Sequence, residues 1–136
     1  MPVLLISIVM TSLPVFARQA ADEQSGQRGR VAPPATLACD RNLLTSYNGE
    51  VSHYQRGLTE TDITIHTDSG TIESLTLKHS SLDDLQRNFL LRGQTFTEDN
   101  WAGIEIEPGV LLEGMRAIAW VCLDEQTAPV IDWRPL

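Results

Sequence analysis

From Thr61 to His79 the chain alternates apolar and polar residues along two runs joined by a turn, and this pattern restricts the fold more than any other feature. In "TDITIHTD", Ile63 and Ile65 project to one side while Thr64 and His66 project to the other. Asp68-Ser69-Gly70 then reverses the chain, and "TIESLTLKH" returns. A repeat of two is the period of a pleated strand, whereas one helix face recurs at about 3.6 residues. The stretch therefore reads as an antiparallel hairpin in which Ile63, Ile65, Leu75 and Leu77 form one wall of a core. Parity in the return strand slips between Ile72 and Leu75, which predicts a β-bulge near Glu73-Ser74.

The other strand signals are shorter. "GEVSHYQRG" opens on a turn pair, Asn48-Gly49, and alternates Val51 and His53 against Ser52 and Tyr54. "SSLDDLQRN" sets Ser81 three residues before Asp84, the spacing of a helix cap, so one short helical turn is expected. "NFLLRGQTF" reads as a strand broken at Gly93, and "TEDNWAGIEIEPG" as a brief helix running into the alternating "IEIE". "GMRAIAWVCL" sets Met115, Ala117, Ala119 and Val121 against Ile118, Trp120 and Cys122. Apolar residues on both faces mark a central strand covered on both sides. "APVIDWRPL" supplies a last strand that Pro129 and Pro135 confine to an edge. Five to six strands with one or two helical turns predict an all-β, mainly antiparallel domain over residues 37–136, a small closed or partly open barrel. A chain of 136 residues suits one such core.

The segment before it differs in kind. "MPVLLISIVMTSLPVFA" is uncharged, apolar from Val3 to Met10, and ends with small residues at Val15 and Ala17. That reads as a signal peptide, residues 1–17, cleaved after Ala17, although the usual basic start is missing. Residues 18–36 are polar, contain Gly and Pro, and lack apolar periodicity, so they read as a flexible linker. The expected location is secreted or periplasmic, with no stable membrane insertion after cleavage. In such a compartment the only two cysteines, Cys39 and Cys122, are expected to form a structural disulfide bracketing the folded region. No CxxC spacing favours a metal pair, and no histidine arrangement singles out a catalytic thiol.

Taken in order, "GEV", "ITIHTDSG", "LTL" and "LLEGMRAIAWVC" resemble the small bacterial periplasmic OB-type β-barrels, over roughly Gly49 to Cys122. The resemblance implies a binding or carrier module and carries over no functional residues.

With 18 acidic against 10 basic residues and a net charge of -8, a phosphate-backbone partner is disfavoured and a basic one suits better. The three histidines, His53, His66 and His79, recur at equal intervals, which raises a metal site. Strand parity puts His66 opposite the core face and His79 with Leu75 and Leu77, so no convergence and no metal site are expected. Glu105 and Glu107, with Glu98 and Asp99 nearby, would suit a glycosidase pair, but their alternation with Ile104 and Ile106 describes a solvated strand face. No nucleophile motif is present, so no catalytic residue and no cofactor is assigned, and a small hydrolase ranks last. Trp120 reads as packing beside the disulfide, while Trp101 and Trp133 sit in polar surroundings and are expected to be partly exposed. With Tyr54 they offer stacking surfaces for a small ligand or glycan. The leading expectation is a non-catalytic binding or carrier module; the alternative is an acidic inhibitor or immunity protein presenting Glu98, Asp99, Glu105 and Glu107 to a basic enzyme. Cleavage after Ala17 would leave Arg18 as the first residue of the mature protein, which N-terminal sequencing of natively expressed material checks.

Overall fold

The computed structural model describes residues 31–136, so the signal-peptide reading and most of the linker reading lie outside the described residues. The elements are β1 (Leu44–Arg56), β2 (Glu60–Thr67), β3 (Ile72–Lys78), α1 (Leu82–Gln86), β4 (Phe89–Leu91), β5 (Gln94–Thr95), α2 (Trp101–Ile104), β6 (Glu105–Glu107), β7 (Val110–Leu111), β8 (Arg116–Cys122) and β9 (Val130–Arg134). Seven strands form one sheet in the order β3-β2-β1-β8-β9-β4-β5, and β6-β7 form a separate hairpin. Every pairing is antiparallel except β4 with β9. The fold is thus all-β and mainly antiparallel, and the sheet is open, with β3 and β5 at its edges. There are more strands than expected because several are only two or three residues long.

The expected hairpin forms from β2 and β3. Ile63, Ile65 and Leu77 are buried, and Leu75 packs against them. The register runs unbroken from Glu60↔Lys78 to His66↔Ile72, so there is no bulge at Glu73-Ser74. The apparent slip in parity has a simpler cause: Ile72 begins the strand on the outer face, 65% exposed. The bulge lies in β1 instead, where Val51 pairs with Ile65 but His53 pairs with Thr64, leaving Ser52 as the extra residue. Directly paired residues share a sheet face. Val51 therefore lies on the inner face with Ile65, and beyond the bulge Tyr54 follows Ile63 and Arg56 follows the buried Thr61. His53 is turned outward with Thr64.

Asn48-Gly49, read above as a turn, lies inside β1, whose first half pairs with β8 and second half with β2. Glycine is required there because a Cβ would stand 2.0 Å from the His66 carbonyl oxygen of the neighbouring strand. β8 is central as expected, with Ala117 and Ala119 wholly buried on one face and Ile118, Trp120 and Cys122 nearly so on the other. β9 is not an edge strand, since β4 pairs with it in parallel. On β9, buried Asp132 accepts hydrogen bonds from Gly93 N and from Arg134, which fastens the β4-β5 turn. At the start of α1 the Ser81 hydroxyl accepts from Asp84 N, the cap expected from the spacing.

Cys39 and Cys122 are joined, so the end of the central strand is tied to the segment before β1. Their separation of 83 residues makes the closed loop long. In the chain-entropy account such a bond stabilises by about 4–5 kcal/mol. Reduction, or Cys39→Ser with Cys122→Ser, is expected to lower the unfolding free energy by roughly that amount, read as a shift in urea midpoint.

Candidate functional site

The bulge at Ser52 decides what meets at the end of β1. Tyr54 and Arg56 lie inward there, toward the segment in which α2 runs directly into β6. Glu105 is the first strand residue after that helical turn. The reading of Glu105 and Glu107 as one solvated face is overturned: Glu105 is 7% exposed, whereas Ile106 is 70% exposed. The "IEIE" alternation misleads because Ile104 still belongs to α2, and because the β6-β7 register shifts between Glu105 and Glu107.

Glu105 receives three donors. The Tyr54 hydroxyl donates to Oε2 at 2.6 Å, Arg56 Nε to Oε2 at 2.9 Å, and Arg56 Nη2 to Oε1 at 2.8 Å. The two-pronged contact matches a planar guanidinium to a carboxylate. Burial opposes ionisation of Glu105, but the hydrogen bonds from Arg56 and Tyr54 and the Gly109 amide outweigh it, so the carboxyl stays below its ordinary range. Burial and the adjoining Glu105 carboxylate push the Tyr54 phenol well up, so it remains a donor. The hydrogen bond to Glu105 raises Arg56 further, keeping its charge.

Trp101 lies beside this pair, with Arg56 Cζ 5.2 Å from its ring centroid, within cation-π range. Its indole N–H donates to Gln86 Oε1 of α1 at 3.0 Å. Edge-to-face contacts run from Trp101 to Phe89 and Phe96, from Phe89 to Trp133, and from Trp133 to Tyr54. One side of Trp101 is therefore anchored in the core. Its other side lines a surface groove of about 430 Å3 with Arg56, Leu82, Ala102, Ile106, Glu107 and Pro108. A second groove of about 350 Å3 shares Arg56 and Leu82 and continues past Gly57, Leu58 and His79 to Ser81.

Among the residues singled out from sequence, Tyr54, Trp101 and Glu105 are brought together, and Glu107 lies at the groove rim. Glu98 and Asp99 are exposed in the 3-10 turn that leads into Trp101. Trp133 does not join the surface. It is wholly buried, so its expected exposure is corrected: β4 covers the strand read as an edge. Its indole N–H has no hydrogen-bond partner among the described residues, which marks the ring as packing. His53 and His66 are exposed, while His79 is buried with Nε2 2.9 Å from Thr61 Oγ1. No group of three or more His, Cys, Asp or Glu among the described residues could hold a metal ion. Among the described residues no helix is long and apolar enough to cross a membrane.

Arg56, Leu82 and Ile106 were not singled out from sequence. The available signal for Arg56 was its position two residues after Tyr54 on one strand face, which becomes the inner face only once the bulge is placed.

Glu105→Gln leaves the partly buried guanidinium without its counter-charge and is expected to cost about 1–3 kcal/mol in urea unfolding. Because the folded-state carboxyl lies below its unfolded value, the wild-type pair contributes fully above about pH 4.3 and loses that contribution as pH falls further. That part of the acid-side slope is expected to be absent in Glu105→Gln. Compared with protein-family models, curated proteins and solved structures, the chain has no match.

Proposed function

We propose that this chain is an exported, non-catalytic binding module whose ligand seats in the groove at Trp101. The observation that carries the reading is the surface beside the Arg56–Glu105 pair. There, Leu82 and Ile106, 45% and 70% exposed, flank the outer side of Trp101. Large apolar groups gathered around a concavity mark interaction surfaces, whereas scattered single ones do not. The floor is already satisfied internally, since each Glu105 oxygen accepts from Arg56 or Tyr54. A ligand therefore meets a rigid surface and does not have to break the ion pair.

The groove favours an apolar group over a sugar ring. Tyr54 is committed to Glu105 and Trp133 is buried, so the three aromatics do not form an open stacking platform. Export is supported by the disulfide, which persists in oxidising compartments, together with the apolar N-terminal segment. A periplasmic or extracellular location fits both.

An apolar fluorescent dye such as anilinonaphthalene sulfonate serves as the probe. It is expected to bind the native protein and quench Trp101, with affinity at least about tenfold lower in Leu82→Ser/Ile106→Ser. Exposed substitutions change stability by about 0.5 kcal/mol or less, so the melting curve is expected to stay in place. Equal dye binding by variant and parent would overturn the reading.

A further inference from the structure

We infer that the groove's ligand is a cationic protein segment: an apolar side chain seated on Trp101 and flanked by lysines or arginines. This rests on the groove being the binding site, as proposed above, and adds the chemistry of the occupant. The argument is one of charge placement. Of the chain's few cations, Arg56, Arg116 and Arg134 are tied to Glu105, Asp68 and Asp132. Arg92 donates to the Pro135 carbonyl. Exposed Arg87, one residue past α1, is itself paired with Asp84, and Arg41 and Lys78 line neither groove.

The carboxylates around the groove are placed differently. Glu107 lies on its wall, Asp83 follows Leu82 on α1, and Glu98 with Asp99 occupies the turn that delivers Trp101. All four are exposed, and none is paired with a cation among the described residues. Glu107 thus gives the groove an acidic rim, Asp83, Glu98 and Asp99 add negative charge on the segments that adjoin its lining, and the Arg56–Glu105 pair beneath cancels itself.

Charge also separates the candidate occupants. A nucleic acid or an anionic membrane surface would be repelled by the rim, and a second copy of this chain would bring another net charge of -8. A neutral apolar ligand would leave the rim without a role. The two grooves share Arg56 and Leu82 in their linings, so neighbouring side chains of one segment have adjacent concavities to occupy. Exposed Leu58, lining the second groove, offers a further apolar contact. A short extended segment with one apolar anchor and basic neighbours satisfies both features together.

The test uses three synthetic peptides sharing a central leucine, flanked by lysine, serine or glutamate, titrated into the full chain by calorimetry. The lysine peptide is expected to bind best and to weaken at least about tenfold between about 20 and 300 mM salt. Asp83→Asn/Glu107→Gln is expected to weaken it by a similar factor, and Leu82→Ser/Ile106→Ser to abolish it. Equal binding of serine and lysine peptides, or no effect of the carboxylate substitutions, would overturn the cationic inference while leaving the groove as a binding site. Dye binding that depends on Leu82 and Ile106, with no peptide bound, would have the same meaning. Failure of both dye and peptides would overturn the inference and the proposed function together.

Discussion

One extra residue in β1 sets the arrangement around the groove. Without the bulge at Ser52, strict alternation would keep His53 on the inner face with Val51 and turn Tyr54 and Arg56 outward. With it, an arginine is placed partly beneath the surface, where a lone charge would lose some of its hydration. Glu105 meets that requirement, and it can do so only because α2 runs into β6 without a loop that would carry the carboxylate away. A buried pair of this kind is weak support for stability in itself, since desolvation consumes much of the attraction. Its effect is positional: it fixes the end of β1 to the start of β6 and holds one side of Trp101.

The same logic explains why the aromatic residues divide as they do. Phe89, Phe96 and Trp133 fill the space between β4, β9 and α2, packed edge to face, which suits the ring quadrupoles. Trp101 belongs to both settings, with core contacts on one side and a groove on the other. The groove wall is therefore an extension of the core, built from Leu82 at the start of α1 and Ile106 in the middle of β6.

The hairpin, the Ser81 cap, the break at Gly93, the doubly apolar β8 and the disulfide were legible in the residues, because each rests on a local pattern or on the only available partner. The bulge was not. A one-residue insertion leaves no mark within "EVSHYQR", and the irregularity in "TIESLTL" pointed to the wrong strand. Glu105 was misplaced for a related reason: four alternating residues cannot reveal that the first of them still belongs to a helix. Trp133 depended on a parallel partner, β4, more than 40 residues earlier, and no local pattern announces such a pairing.

The position of the disulfide also bears on the order of assembly. β1 and β8 come from opposite ends of the folded region, and their ladder begins at Leu44↔Cys122, immediately beside the cysteine bond. Pairing two distant segments is ordinarily the slow, entropically opposed part of building a sheet. Once oxidised, the chain keeps those ends together even when unfolded, and the β1-β8 ladder can zip from its tethered end. The bond thus acts on the rate of folding as well as on its equilibrium, and a chain oxidised early explores fewer mispaired sheets.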